Sequence, residues 1–246
     1  MTLTRPALFV RSFRRTYPAA VRGEGVYLWD AAGNRYLDFA GSAAVNFIGH
    51  SDAEIAQAMA SQASRLEFVH SSQFTTDIAE EFARELLEFT GYAGGSVYFT
   101  CGGSEAVETA LKLARQYQVE VGKRDRFEIL SRAQAYHGST LGAVGVSGNR
   151  RRRELYLQMV HDSKRVSLPY CYRCKYDCND CAKAYAGELE RAVEEHESTA
   201  AFIFEPISGA TLGAAVPPDG YLQTIVETCR RHGVLTIADE VMTGCG

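Results

Sequence analysis

The stretch "VYFTCGGSEAVETALKLAR" (residues 97–115) decides how this chain is read. A β-prone run, residues 97–100, meets two glycines and a serine, and then a long amphipathic segment with Glu105 in its first turn. A helix start needs only one capping side chain, so two adjacent glycines call for a second reason. The segment predicts a helix over 105–121, with Val107, Ala110, Leu111, Ala114 and Tyr117 as its apolar stripe.

Downstream the pattern alternates. Strands are predicted at 97–100, 127–132, 201–205 and 235–239, and helices at 182–197 and 221–232, the last closed by Gly233. "AAFIFEP" and "VLTIADEV" are nearly continuous apolar runs ending in an acid, the pattern of parallel strands buried on both faces. Upstream, short strands at 25–30 and 35–40 flank a turn, and helices are predicted at 52–67 and at 76–89, the latter closed by Gly91. Alternating β and α implies a mostly parallel α/β sheet with helices on both faces. In such sheets a ligand sits beyond the carboxyl ends of the strands. Gly102, Gly103, Ser104, Glu205 and Asp239 all fall at or just past those ends, so they are expected to line one crevice.

The chain has 246 residues, 46% hydrophobic and 23% charged, enough for one large α/β domain or one domain plus part of another. A net charge of −4 gives no reason to expect nucleic acid or an anionic membrane as partner. The single basic run, Arg150–Arg153, reads as a solvated helix start. No apolar run approaches the roughly 18–20 residues that span a bilayer, and the N-terminal apolar stretch is too short and too polar-flanked for a signal peptide. A cytoplasmic setting is expected. Seven cysteines, an odd number, then read as free thiols.

The glycines suit a phosphate: a helix N-terminus offers unpaired N–H groups and partial positive charge, and glycine lets backbone approach the oxygens. A capped βα turn is the plainer alternative. No Gly-Lys-Ser/Thr follows, so this is not a Walker loop, nor is it a full dinucleotide fingerprint. Asp239 ends an apolar strand, where an unpaired carboxylate is costly. It caps a loop, binds a metal with Glu240, or faces a protonated ring nitrogen, the pairing that keeps pyridoxal phosphate an effective electron sink. Tyr136, in "AYHGSTLGA", either packs in the core or stacks on a planar cofactor. Cys171, Cys174, Cys178 and Cys181 form two C-x-x-C pairs with three residues between them. That spacing is tight for a zinc ribbon, so a cysteine-rich surface loop is expected and no metal site is assigned.

Taken together, these pieces resemble the class III aminotransferases, fold-type I pyridoxal-phosphate enzymes. The resemblance runs through "YLDFAGSAAVNFIGH" (36–50), "GGSEAVETALKLAR" (102–115), "YHGSTLGA" (136–143), "FEPISGATLGAAVPPDGY" (204–221) and "ADEVMTGCG" (238–246), in order and spacing. It implies a phosphate loop at Gly102, Gly103 and Ser104, and Tyr136 stacked on the cofactor ring beside its usual neighbour His137. It implies Glu205 near the cofactor hydroxyl and substrate side, Asp239 on the pyridine nitrogen, and Val241 on the ring's other face. Catalytic roles fall to Asp239 and Glu205.

The resemblance further implies residues 1–50 as the N-terminal segment of a small α+β domain, and 51–246 as an incomplete cofactor domain. None of the five lysines (Lys112, Lys123, Lys164, Lys175, Lys183) stands in the family's Schiff-base motif. The chain is therefore expected to be a fragment, inactive alone, of an enzyme that is dimeric or larger. Ala210 replaces a second glutamate found in members that use 2-oxoglutarate, which favours pyruvate as acceptor and an ω-amine or ω-amino acid as donor. Cys245 stands where the family usually has an aromatic residue. The alternatives are a mutase, epimerase or decarboxylase of the same fold, or a non-catalytic half of a split enzyme.

Overall fold

A computed structural model describes residues 7–177 and 179–245. The chain divides into two compact units, Met1–Gly95 and Ser96–Gly246. The predicted helices within 52–89 cluster with the N-terminal strands.

The first unit opens with an antiparallel sheet of β1 (Ala20–Glu24), β2 (Tyr27–Asp30) and β3 (Arg35–Leu37), in that order. The β2–β3 turn is organised by Asp30. Its carboxylate accepts from the amides of Ala32 and Asn34, from the Asn34 side chain and from the Tyr36 hydroxyl. A single turn follows, α1 (Gly41–Ala44), in which Ser42 and Ala43 are left-handed at φ 50° and 66°. Helices α2 (Ala53–Arg65) and α3 (Asp77–Thr90) are capped by the side chains of Asp52 and Thr76. Gly91 ends α3 in the left-handed conformation that glycine adopts without steric cost.

The second unit is α/β. Its elements run α4 (Gly103–Glu120), β4 (Glu128–Arg132), α5 (Leu141–Val146), α6 (Arg150–Arg153), β5 (Arg165–Val166), α7 (Cys181–Glu195), β6 (Thr199–Phe204), α8 (Tyr221–Arg231) and β7 (Leu235–Ala238). The strands form one sheet in the order β5-β4-β6-β7, every pair parallel. All six residues of β6 are buried. Phe202 and Phe204 pack on one face with Tyr185, Leu189, Tyr221 and Ile225 of α7 and α8. Ile203 packs on the other with Val107 of α4 and Ala143 and Val146 of α5. The two-residue period of the strand thus places helices on both faces, as the continuous apolar runs require.

Three local expectations fail. Residues 97–100 are not a strand: they pair with none of the described strands, and Tyr98 is 76% exposed. A β-prone run becomes a strand only beside a hydrogen-bonding neighbour. Second, β7 is only half-buried, since among the described strands it is an edge with β6 as its one partner. Third, the buried stripe of α4 ends on Gln118 while Tyr117 is exposed. The Gln118 amide donates to the carbonyls of Ala200 and Gly233, tying the helix to β6 and to the start of β7.

Candidate cofactor site

The expected crevice forms because β6 and β7 run parallel with Phe204 beside Ala238. Their next residues, Glu205 and Asp239, therefore leave the sheet at the same end, and the Asp239 amide still donates to the Phe204 carbonyl at 2.8 Å. The loop after β4 brings Tyr136, His137 and Gly138 to that end, and the start of α4 brings Gly102, Gly103 and Ser104.

Specific contacts hold these segments together. The Ser139 amide donates to the Ser104 hydroxyl oxygen at 3.0 Å, joining the α4 start to the Tyr136 loop. Gly138, at φ +130°, leaves no room for a side chain: a Cβ there would lie 2.5 Å from Ser104 Oγ. A Cβ on Gly103 would lie 2.9 Å from Val241 Cγ2, so that glycine admits the segment after β7. Helix α4 takes no side-chain cap, and its first-turn donors are the groups a helix leaves for an external acceptor.

At the centre, His137 Nδ1 and Asp239 Oδ2 are 2.7 Å apart, with side chains 0% and 6% exposed. The Val241 amide donates to Asp239 Oδ1 at 3.2 Å. His137 Nε2 is buried without a partner. The imidazole backs the carboxylate from inside the protein, whereas the resemblance only set it beside Tyr136. Glu205 has an equally definite place: its carboxylate accepts from the amides of Tyr136 at 3.3 Å and Gly209 at 3.1 Å, while its carbonyl accepts from buried Arg132. Burial lowers the Arg132 pKa, opposed by Tyr221 and Glu205. Glu205 thereby fixes two loops at the crevice rim.

The arginine run is not uniformly solvated. Arg153 is 5% exposed and ion-paired with Asp162, and Arg152 lays its guanidinium 4.7 Å over the Tyr136 ring. A run of like charges hides such roles, because only the turn geometry separates the inward member from its neighbours. Of the lysines, Lys164, Lys175 and Lys183 are engaged with Glu128, Glu188 and Asp180. No helix among the described residues is long and apolar enough to cross a membrane.

The aminotransferase class-III family model matches residues 11–246. The chain belongs to the class III aminotransferases. It is 37% identical over 97% of its length to an uncharacterised aminotransferase of Schizosaccharomyces pombe, covering 53% of that protein. It is 36% identical over 92% of its length to the adenosylmethionine-8-amino-7-oxononanoate aminotransferase of Geobacter sulfurreducens, covering 51%. Among solved structures, an amine transaminase from an uncultivated Pseudomonas species in its PLP-bound form aligns with TM-score 0.86 and 33% identity, over 99% of this chain and 56% of that one. An (S)-enantioselective omega-transaminase from Thermomicrobium roseum aligns with TM-score 0.85 and 34% identity, over 96% and 54%. The fold is thus that of the fold-type I transaminases, and the chain spans about half the length of the relatives it matches.

Proposed function

We propose that this class III aminotransferase chain carries the coenzyme-binding half of a pyridoxal-phosphate transaminase, which moves an amino group from an ω-amine or ω-amino acid to a keto acid such as pyruvate. The observation that carries the reading is the buried His137–Asp239 pair at 2.7 Å, set beside an uncapped helix start. A carboxylate supported this way suits a protonated ring nitrogen, and an uncapped helix start suits a phosphate at the other end of the same ligand. Gly103 and Gly138, where a Cβ would collide with Val241 and Ser104, let the segments that wall the crevice close on one another.

Bound pyridoxal phosphate supplies an electron sink for proton loss at the amine-bearing carbon. In this reading the amides at Gly103 and Ser104, with the Ser104 hydroxyl, grip the phosphate. Asp239 holds the proton on the ring nitrogen, and His137 keeps that carboxylate aimed and desolvated. Tyr136 and Val241 are the residues that would contact the ring. Glu205 holds the Tyr136 and Gly209 amides in place at the substrate side. Ala210 leaves the substrate side without the second glutamate, which fits pyruvate better than 2-oxoglutarate. The likeness to an amine transaminase and to an omega-transaminase supports an amine donor.

A ping-pong cycle, a dimeric or larger assembly, a small domain begun by residues 1–50 and a cytoplasmic setting complete the reading. The complete polypeptide supplies the Schiff-base lysine, and the 246-residue chain alone does not turn over. Two measurements test it. The complete protein is expected to bind pyridoxal phosphate with a shifted visible absorbance, and to form alanine from pyruvate and an ω-amine. Absence of both refutes the reading; cofactor binding without transfer to any keto acid leaves a mutase, epimerase or decarboxylase instead.

A further inference from the structure

Outside the crevice, the structure gathers cysteines that the proposed reaction does not use. Cys171 lies on a 3-10 turn, Cys174 closes that turn, and Cys181 is the first residue of α7. The spacing alone suggests a surface loop; instead Cys181 is 1% exposed and packs in the core cluster with Cys174 and Tyr176 against it. Cys178 lies outside the described residues.

We propose that Cys171, Cys174 and Cys181 bind a structural zinc ion as thiolates. Cys171 Sγ and Cys181 Sγ are 4.0 Å apart. Zinc–sulfur bonds of about 2.3 Å in a tetrahedron set ligand sulfurs about 3.8 Å apart, so this pair already spans an ion. It is far too long for a disulfide of about 2.05 Å. Cys181 interacts with the sulfurs of both Cys171 and Cys174.

Two further features favour metal-bound thiolates. Cys181 opens a 15-residue helix whose N-cap, Asp180, makes no side-chain cap bond, so the partial positive charge of that end faces the sulfur. Tyr185, 2% exposed, accepts from the Lys175 amide at 3.4 Å, and its hydroxyl reaches the Cys174 sulfur, the outer hydrogen bond that steadies a metal ligand. On metallation each Zn–S bond replaces an S–H bond, the proton leaves to solvent and no electrons change hands.

The three sulfurs do not all lie within 4.8 Å of one another, so they must close inward around the ion. Glu190, Glu194 and His232 do meet that distance, but Glu190 is held by Arg231 at 2.9 Å and the group sits at the surface. The ion would pin the turn at Cys171–Cys174 to the start of α7.

The test is zinc titration of the reduced, chelator-treated full chain, followed by cobalt substitution read by thiolate-to-cobalt charge-transfer absorption. One equivalent of zinc per chain and a sulfur-to-cobalt band are expected. Cys171→Ser, whose side chain is exposed and whose change leaves the core intact, should abolish both, as should Cys174→Ser. Cys101→Ser should leave both unchanged. Three results overturn the proposal: no uptake by reduced protein, full uptake in Cys171→Ser and Cys174→Ser, or loss of the zinc on Glu190→Ala with the cysteines intact. Recovery of a Cys171–Cys181 disulfide from protein kept reduced during purification would overturn it as well.

Discussion

In the proposed reading Asp239 concentrates the chemistry of the crevice, and its substitution gives the sharpest residue-level expectation. A charge-assisted hydrogen bond contributes about 1.5–3 kcal/mol, so Asp239→Asn should slow turnover of the complete enzyme at least roughly 10- to 100-fold, with the cofactor still bound. Near-normal turnover at saturating cofactor would remove Asp239 from its assigned role. In the same reading His137, 2.7 Å from Asp239, acts through that carboxylate. His137→Phe leaves a buried acid short of a partner, and should destabilise the protein by about 1–3 kcal/mol while lowering kcat more than it changes KM. Stability by denaturant titration and steady-state kinetics separate the two effects; an unchanged kcat would make His137 merely a packing residue. Asp239 and Glu205 were legible in the sequence because each follows directly on an apolar strand. The Nδ1–Asp239 contact was not, since it joins residues about a hundred positions apart. Nor was Arg152 over Tyr136, since four consecutive arginines carry no mark of which one turns inward.

Elements were legible where the apolar pattern was strong. The predicted strand at 201–205 and helices at 52–67 and 76–89 lie within two residues of β6, α2 and α3 at each end. Residues 97–100 misled because strand formation depends on a partner that local sequence does not name. The left-handed turn at Ser42 and Ala43 carries no local signal either, as neither residue is glycine. Core packing yields a direct test: Leu189, 0% exposed on α7 against β6 and α8, should cost about 2–5 kcal/mol on change to Ala, read as a lower denaturation midpoint. A loss below 1 kcal/mol would mean that the face between α7 and α8 is loosely packed.

The Asp30 turn titrates. The Asn34 side chain, with the Tyr36 hydroxyl and the two amides, holds the Asp30 carboxyl down to about 2. A depressed acid stabilises the fold only while it is ionised, so its contribution is full above the ordinary value of about 3.9 and is lost as pH falls toward 2. Amide protection factors in the β2–β3 hairpin, corrected for intrinsic exchange, should therefore stay high at pH 5 and fall below pH 4, and Asp30→Asn should flatten that pH dependence. An identical profile in the variant would place the acid sensitivity elsewhere.

At the scale of the whole molecule, burial is uneven. Every buried hydrophobic side chain among the described residues lies between Val107 and Val234, in the second unit. The first unit buries none, while Phe39 is 92% exposed, Val45 75% and Phe68 72%. A domain is stabilised mainly by apolar burial against chain entropy, so residues 1–95 alone have too little to oppose unfolding. Residues 96–246 have a two-sided core, yet they too leave Tyr98, Leu113 and Phe127 open to solvent. Exposed apolar surface on this scale marks faces that another segment or subunit covers, in keeping with relatives about twice as long. The 246-residue chain alone should therefore bind a hydrophobic dye strongly and aggregate, whereas the complete polypeptide should bind little dye and form only a discrete oligomer. A separate 1–95 peptide should melt without a cooperative transition. A dye-silent, monomeric 246-residue chain with one sharp unfolding transition would show that these side chains are satisfied without further polypeptide, and the proposal of a half-enzyme would then have lost its structural ground.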